Sequence, residues 1–348
     1  MNSKLEGVCL AGLCAAVPRH GEEIAESAYE TQEGRRRFSA VTGVYRRRFC
    51  PPELYFSDLA AAAAERLLGE LGWKKSEIGS LVVVTQSGDL AYPATACILQ
   101  HRLGLSTDCA AFDINLGCSG FPYGLLVAGR MLASDRGAKA LLLVGDAAGK
   151  PNPAAPQAPL FGDAAVAVAL ERGADAPPMM FSLHTDGSGW DFIMERRAGG
   201  NPGFEKGTFS TASGPDGRVY VNTHYQMKGE DVFNFSVRVV PGAVREAVRM
   251  AAWPPESIEA FVFHQASRLI NETIRKSLHL DPSQTPSTLS DFGNTSSATI
   301  PLTMVSQLGP RLRESTLRLL LCGFGVGLSW GTVTCEVGPM VCPPIVEV

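Results

Sequence analysis

WPPESIEAFVFHQ, residues 253–265, decides the fold, because it echoes WKKSEIGSLVVVTQ at 73–86. Trp253 and Trp73 each stand five positions before an Ile, and a short apolar run follows each. Further along, KALLLVGDAAG (139–149) pairs with LRLLLCGFGVG (317–327), which sets Gly145 over Gly323 and Gly149 over Gly327. The two offsets, 180 and 178 residues, are nearly equal. One explanation is that strands and helices of α/β proteins resemble one another. The other is duplication: two α/β halves, near 1–170 and 171–348, with continuous apolar strands of the kind buried on both faces of a sheet. Such halves would bury a common core between them.

The bulk properties agree with a globular enzyme-sized chain. It has 348 residues, 45% hydrophobic and 19% charged, with a net charge of −4. No basic field points to nucleic acid. Apolar stretches such as Leu141–Val144 and Leu319–Cys322 are far shorter than the ~20 residues of a membrane span. The apolar N-terminus reads as a first strand punctuated by Gly12 and Pro18, or as a weak export signal. Nine cysteines, an odd number, lack metal-type spacing and read as reduced cytoplasmic thiols that mostly fill core. No metal site is expected. Helices are expected over Ser57–Leu71, over 119–134 and from Pro241 to Ala252. The Pro/Gly-rich stretches 150–160 and 198–218 read as loops that cover a site.

Within CAAFDINLGCSGFPYGL (109–125), an apolar strand runs through Gly117 into Cys118, small residues and a helix. This strand–turn–helix elbow lifts a side chain clear of the sheet. Gly117, Ser119 and Gly120 would leave room for a bulky substrate. A helix N-terminus stabilises an anion, so a thiolate near neutral pH is expected. The alternative is a buried structural thiol at a tight turn. Cys109 lacks the elbow and reads as core. In FVFHQASRLI (261–270) a strand ends at His264, which aligns with the strand end at Thr85 in the first half. Active sites of α/β sheets gather at such ends. Asn294 lies in a Gly-Asn turn before a small-residue helix in SDFGNTSSATIPL (290–302). Each of these two residues has an alternative reading, a structural strand-end His and a plain turn Asn. Three glycines in CGFGVGLSWG (322–331) expose the backbone near Val326, whose N–H with that of Cys118 would make an oxyanion hole.

INLGCSGFPYGL, FHQASRLI, DFGNTSSATIPL and GFGVGLSWG, in this order and spacing, resemble the β-ketoacyl-acyl-carrier-protein synthase III family of condensing enzymes. YPATACILQHRLG (92–104), FGDAAVAV (161–168) and YQMKGEDVFNFSVRVVP (225–241) are similar to the same family, so the resemblance covers nearly the whole chain. It implies the thiolase fold, a five-layer αβαβα sandwich, in a homodimer. It implies Cys118 as the acylated nucleophile, and His264 and Asn294 as donors to the enolate formed when a malonyl thioester loses CO2. Tyr92 would reach across the dimer to line the partner's acyl pocket, and Phe161 would line the pocket of its own subunit. The substrates would be acyl-CoA or acyl-carrier-protein thioesters, with acyl carrier protein as partner and no cofactor. Arg37, Arg46, Arg268 and Lys276 are the candidate cations for CoA phosphates or the carrier. The triplets Arg35–Arg37 and Arg46–Arg48 read equally as solvated surface runs.

There are departures from the family. Where its members often hold CoA with Trp and, four residues on, Arg, this chain has Arg37 and Val41. Ser267 replaces Asn after His264-Gln-Ala, and GDAA (162–165) replaces Gly-Asp-Gly-Ala. These point to a specialised member, with an acyl-carrier-protein donor or an unusual primer. Three other readings stand beside condensation. Transfer of the acyl group to oxygen, nitrogen or an aromatic acceptor would dispense with Asn294. A papain-like hydrolase shares the Cys…His…Asn order but not the duplicated pattern. A silent subunit would not need the intact trio.

Overall fold

The computed structural model describes residues 1–26, 31–134, 139–148, 158–196, 211–213, 219–221 and 224–348. Most of the two stretches expected to cover the site, 150–160 and 198–218, lies outside these.

Two sheets carry the duplication. The first runs in the order Val346–Glu347, Val8–Val17, Ala164–Arg172, Lys139–Asp146, Ile78–Val84, Ala110–Ile114. The second runs Asn2–Leu5, Met179–Thr185, Ser329–Val337, Leu317–Gly325, Ala260–Phe263. Four strands correspond between them. In each sheet two antiparallel pairings lead to a parallel one, Lys139–Asp146 with Ile78–Val84 and Leu317–Gly325 with Ala260–Phe263. The chain termini cross over: Asn2–Leu5 extends the second half's sheet, and Val346–Glu347 the first. The boundary expected at 170 falls inside Ala164–Arg172.

The strands are apolar on both sides because helices cover both faces. Leu141, Val144, Val166, Val168, Leu319 and Leu321 are all fully buried, and each contributes roughly 1.5–3 kcal/mol by leaving water. Helices Phe56–Leu71 and Thr95–Arg102 pack on the outer face of the first sheet. Helices Gly229–Ala251 and Arg268–Ser277 pack on the outer face of the second. Helix Gly120–Ser134 and the helical stretch from Thr299 to Leu308 lie between the sheets, in the largest core cluster. The layers are therefore αβαβα, as the thiolase fold requires.

Local departures from the sequence reading have physical causes. The first half has one residue more than the second between its Trp and its Gln, and the register shift between Ile78 and Ser80 absorbs it. By conformation Gly145 (φ 152°) matches Gly325 (φ 153°) and not Gly323. Gly12 does not end a strand. It sits at a bulge inside Val8–Val17, where a Cβ would come within 2.7 Å of the Val341 carbonyl. The helix expected to begin at Pro241 begins at Gly229 and runs through the proline. Pro241 leaves the Val237 carbonyl without its usual donor. The apolar face of Val232, Phe235, Val240 and Val244 continues across it and holds the helix to the sheet. Helix Phe56–Leu71 ends as expected at Gly72, in the left-handed conformation (φ 64°).

Candidate active site

Cys118 lies between the parallel edge strand Ala110–Ile114 and helix Gly120–Ser134. The glycines of this elbow serve packing and not substrate clearance, contrary to the sequence reading. A Cβ at Gly120 would meet Val84 Cγ1 at 2.5 Å, and one at Gly117 would meet Gln86 Oε1 at 2.3 Å and Val326 Cγ1 at 2.9 Å. The Ser119 and Ser329 hydroxyls share a hydrogen bond of 2.6 Å across the two halves. From the second half, Gly325 presses against Cys118: a Cβ there would lie 2.7 Å from Cys118 Cβ and 3.0 Å from Sγ.

The expected thiolate is not what this setting favours. Cys118 keeps a partial opening to solvent, yet protein surrounds the sulfur and burial pushes its pKa up to about 12. The N–H groups of Val326 and Cys118 and the Ser296 hydroxyl oppose that rise, while the charge of Asp146 adds to it. Loss of water therefore outweighs the helix terminus, and the resting group is a thiol.

The C-terminal half delivers the other two groups. Strand Ala260–Phe263 ends one residue before His264, whose N–H donates to Cys322 carbonyl at 2.8 Å. The ring lies edge-on to Phe324, with centroids 5.4 Å apart. Nδ1 is 2.7 Å from the Thr299 hydroxyl. Burial drives the pKa of His264 down to about 3, opposed by the Ser296 backbone, so the imidazole is neutral. Gln265 ties this strand end to the next loop: its Oε1 accepts from Ser287 Oγ at 2.7 Å and from Thr288 N at 3.2 Å. Asn294 is pinned by its backbone. Its N–H donates to Leu160 O at 2.9 Å, and its carbonyl accepts from Gly162 N at 3.1 Å. Its Oδ1 accepts the Ser296 N–H at 2.9 Å, which leaves the amide NH2 as the donor.

Ser296 joins the three. Its N–H holds Asn294, its backbone acts on His264 and its hydroxyl acts on the Cys118 thiol. It does this in a left-handed conformation, φ 53°, uncommon for a non-glycine residue and concentrated at functional sites. Cys118, His264 and Asn294 are thus brought to one place from three chain segments, with two neutral donors beside a thiol.

The sequence profile of the 3-oxoacyl-[acyl-carrier-protein] synthase III family matches residues 112–187, and that of its C-terminal domain matches 248–337. A β-ketoacyl-[acyl-carrier-protein] synthase III of Natranaerobius thermophilus is 30% identical over 301 residues, 84% of this chain and 87% of the relative. The crystal structure of a 3-oxoacyl-(acyl-carrier protein) synthase from Burkholderia xenovorans superposes with a TM-score of 0.90 at 31% identity, covering 100% of this chain and 99% of that one. The synthase III of Pseudomonas aeruginosa gives 0.80 at 28% identity, covering 97% and 100%. The chain belongs to the synthase III family.

As a synthase III family member it is a thiolase-fold condensing enzyme. Phe161 stands beside the trio, bridged in parallel to Asn294 and packed with Leu160, Val44 and Leu289. Tyr92 is 87% exposed. The second arginine triplet is mostly structural. Arg47 is buried and clasps Glu22 Oε2 through Nε (3.0 Å) and Nη2 (2.7 Å). Arg48 bonds Glu347 at 2.9 Å. Arg46, paired more loosely with Glu23 at 3.5 Å, is the outward member. Arg268 donates to the Ala40 carbonyl and packs on Gly43, tying helix Gln32–Thr42 to helix Arg268–Ser277. Arg37 borders a surface depression with Thr31, Glu33 and Val41, and Lys276 lies in the last turn of its helix.

Sequence reasoning missed Ser296, Thr299, Gln265 and Asp146. Three of these flank His264 or Asn294 within five positions, so the motif's neighbourhood held the signal. Asp146 ends a parallel strand, the same signal that singled out His264.

Proposed function

We propose that the enzyme loads an acyl group on Cys118 from a CoA or carrier-protein thioester. It then condenses that group with a malonyl thioester, with loss of CO2, to a β-ketoacyl product. The carrying observation is the orientation of Asn294. With its Oδ1 committed to Ser296 N–H, its amide is a fixed donor, beside an imidazole held neutral by burial. Decarboxylation places negative charge on the malonyl thioester oxygen. Two neutral donors aimed there stabilise the enolate without themselves needing to ionise, each worth about 2.7–4 kcal/mol. For His264 the donor nitrogen is Nε2 in the tautomer whose Nδ1 accepts; the Thr299 hydroxyl, which donates to the Ser296 carbonyl at 2.9 Å in the resting structure, turns to Nδ1 (2.7 Å) to hold that tautomer. The backbone N–H groups of Cys118 and Val326 supply the second oxyanion site, for the acyl thioester on Cys118.

No cofactor takes part in this chemistry. Acyl carrier protein is the partner, met by Arg37, Arg46 and Lys276, with Arg268 positioning the adjoining helix. The active unit is a homodimer. Strand Ala110–Ile114 forms one edge of its sheet, and Leu90 (56% exposed) and Tyr92 stand beside it as apolar groups for a second copy to cover. The test is intact mass after incubation with a panel of acyl-CoAs and acyl carrier proteins, followed by malonyl carrier protein and CO2 detection. Wild type gains acyl mass and releases CO2, and Cys118→Ala gains none. Acyl mass on the Ala variant, or loading without CO2 release, refutes the proposal.

A further inference from the structure

A buried thiol that rests protonated needs a base before it can attack a thioester, and His264 is a weak one in this setting. One other group is placed to serve. Asp146 ends the strand Lys139–Asp146 and is 3% exposed. Its two oxygens are used differently. Oδ1 accepts four hydrogen bonds, from Thr85 Oγ1 (3.0 Å), Gln86 N (2.7 Å), Ser87 N (2.9 Å) and Ser87 Oγ (2.9 Å). Oδ2 is buried with no hydrogen-bond partner. The group that comes close to offering one is the Ser296 hydroxyl, which acts on the Asp146 carboxyl and on the Cys118 thiol alike. A proton arriving at Asp146 therefore lands on Oδ2, the oxygen that the 85–87 turn leaves unused. Burial raises the carboxyl's proton affinity, and the Ser296, Gln86, Ser87 and Thr85 donors lower it. All of these are neutral. Among the described residues, the titratable groups that reach the turns at 85–87 and 294–299 are Cys118 and His264; the Asp146 charge acts on Cys118, and His264 is neutral.

We propose that Asp146 is the base of the loading half-reaction, exchanging one proton with the Cys118 thiol through the Ser296 hydroxyl. This rests on the thioester-loading reading above. The S–H bond of Cys118 breaks as its proton passes to Ser296 Oγ and the Ser296 proton moves to Asp146 Oδ2. The freed sulfur pair attacks the carbonyl carbon of the donor thioester. The adduct collapses by breaking the bond to the carrier sulfur, which leaves with that electron pair and takes the proton back from Oδ2 by the same route. The products are acyl-Cys118 and the carrier thiol, with Asp146 again a carboxylate. Because Cys118 and Asp146 hold one negative charge between them, the reactive tautomer forms without net proton loss. Its population is then independent of pH over a wide range.

The test measures two rates between pH 6 and 9.5 by quenched intact mass: acylation of Cys118 by acyl donors, and its alkylation by iodoacetamide. Asp146→Asn keeps an acceptor for the 85–87 turn but cannot take the proton; Ser296→Ala removes the relay. Wild type is expected to show a near-level profile for both rates. Asp146→Asn is expected to be slower by roughly 10²–10⁴-fold at neutral pH, and to speed up by about tenfold per pH unit as thiolate forms directly. Ser296→Ala is expected to show the same steepening. If the folded Asn variant stays within about threefold of wild type with an unchanged pH profile, the role of Asp146 is refuted; a slowing of 10²-fold is the low end for a lost proton-transfer group. If the Asn variant does not fold, an unchanged profile in Ser296→Ala refutes the relay. If wild type accepts no acyl group from any donor, the loading reading is what fails, and the alkylation profile still decides the proton transfer.

Discussion

Asn294 permits a test in which activity and stability move in opposite orders. Its Oδ1 accepts the Ser296 N–H at 2.9 Å and its backbone is held on both sides, so the one group left for substrate is the amide NH2. Replacing it with Ala removes one enolate donor, about 2.7–4 kcal/mol, which is ~100–1000-fold in decarboxylation. The same change strips the Ser296 N–H of its acceptor, at about 1–3 kcal/mol of stability. Asn294→Asp keeps that acceptor and so spares the Ser296 turn, but it points a carboxylate oxygen at the developing enolate. The Asp variant should therefore be more stable than the Ala variant and slower in decarboxylation at pH 8.5. Burial will raise the new carboxyl's pKa, so at pH 6 part of it is protonated and regains a donor. CO2 release by acyl-loaded enzyme in a single turnover, with melting temperature measured alongside, reads both orders. Acylation of Cys118 should change by no more than about threefold, because no donor to the acyl oxyanion is lost. An Asp variant faster than the Ala variant at pH 8.5, or equal loss of acylation and decarboxylation in both, refutes the assigned role.

Thr299→Val keeps the shape of Thr299 but removes the hydroxyl at His264 Nδ1; decarboxylation should fall by about 10–100-fold while Thr299→Ser stays near wild type, and an unchanged rate in the Val variant excludes the tautomer role. Gly325→Ala would force a Cβ to 2.7 Å from that of Cys118 at φ 153°, so acylation should be lost together with several degrees of melting temperature; a fully acylated variant would show that the strand can yield. His264 has a folded-state pKa of about 3 against an ordinary 6.5, so the unfolded chain binds the extra proton. The stability His264 contributes is present above about pH 6.5 and is lost as pH falls toward 3, by at most ~1.4 kcal/mol per unit. Urea unfolding at pH 7 and pH 5 should show a smaller pH loss in His264→Asn than in wild type, and equal losses refute this.

The two duplicated α/β halves were legible because a strand covered on both faces must be apolar throughout, and the repeated Trp-to-Ile spacing marked where each half's strand begins; the five-layer order came with the family resemblance. His264 and Asn294 were legible for the same reason: strand ends and Gly-Asn turns are local features. Pro241 misled because a helix stop is also local, whereas the helix that crosses it is held by a face buried on a distant sheet. The ionisation of Cys118 was the deepest miss, and it could not have been otherwise. The elbow and the helix terminus lie within a few residues of the sulfur and argue for a thiolate. What opposes them comes from elsewhere: the strand of the other half, packed so near the sulfur that a Cβ on Gly325 would lie 3.0 Å from it, and the Asp146 charge from a neighbouring strand. Desolvation is a property of the assembled interface between the halves. A nucleophile set there is protected from stray electrophiles while it rests as a thiol, and it becomes reactive when a neighbouring acceptor removes its proton. On the proton transfer proposed above, that requirement ties the two halves of the chain into one catalyst: the first half supplies Cys118 and Asp146, and the second supplies Ser296, whose hydroxyl acts on both.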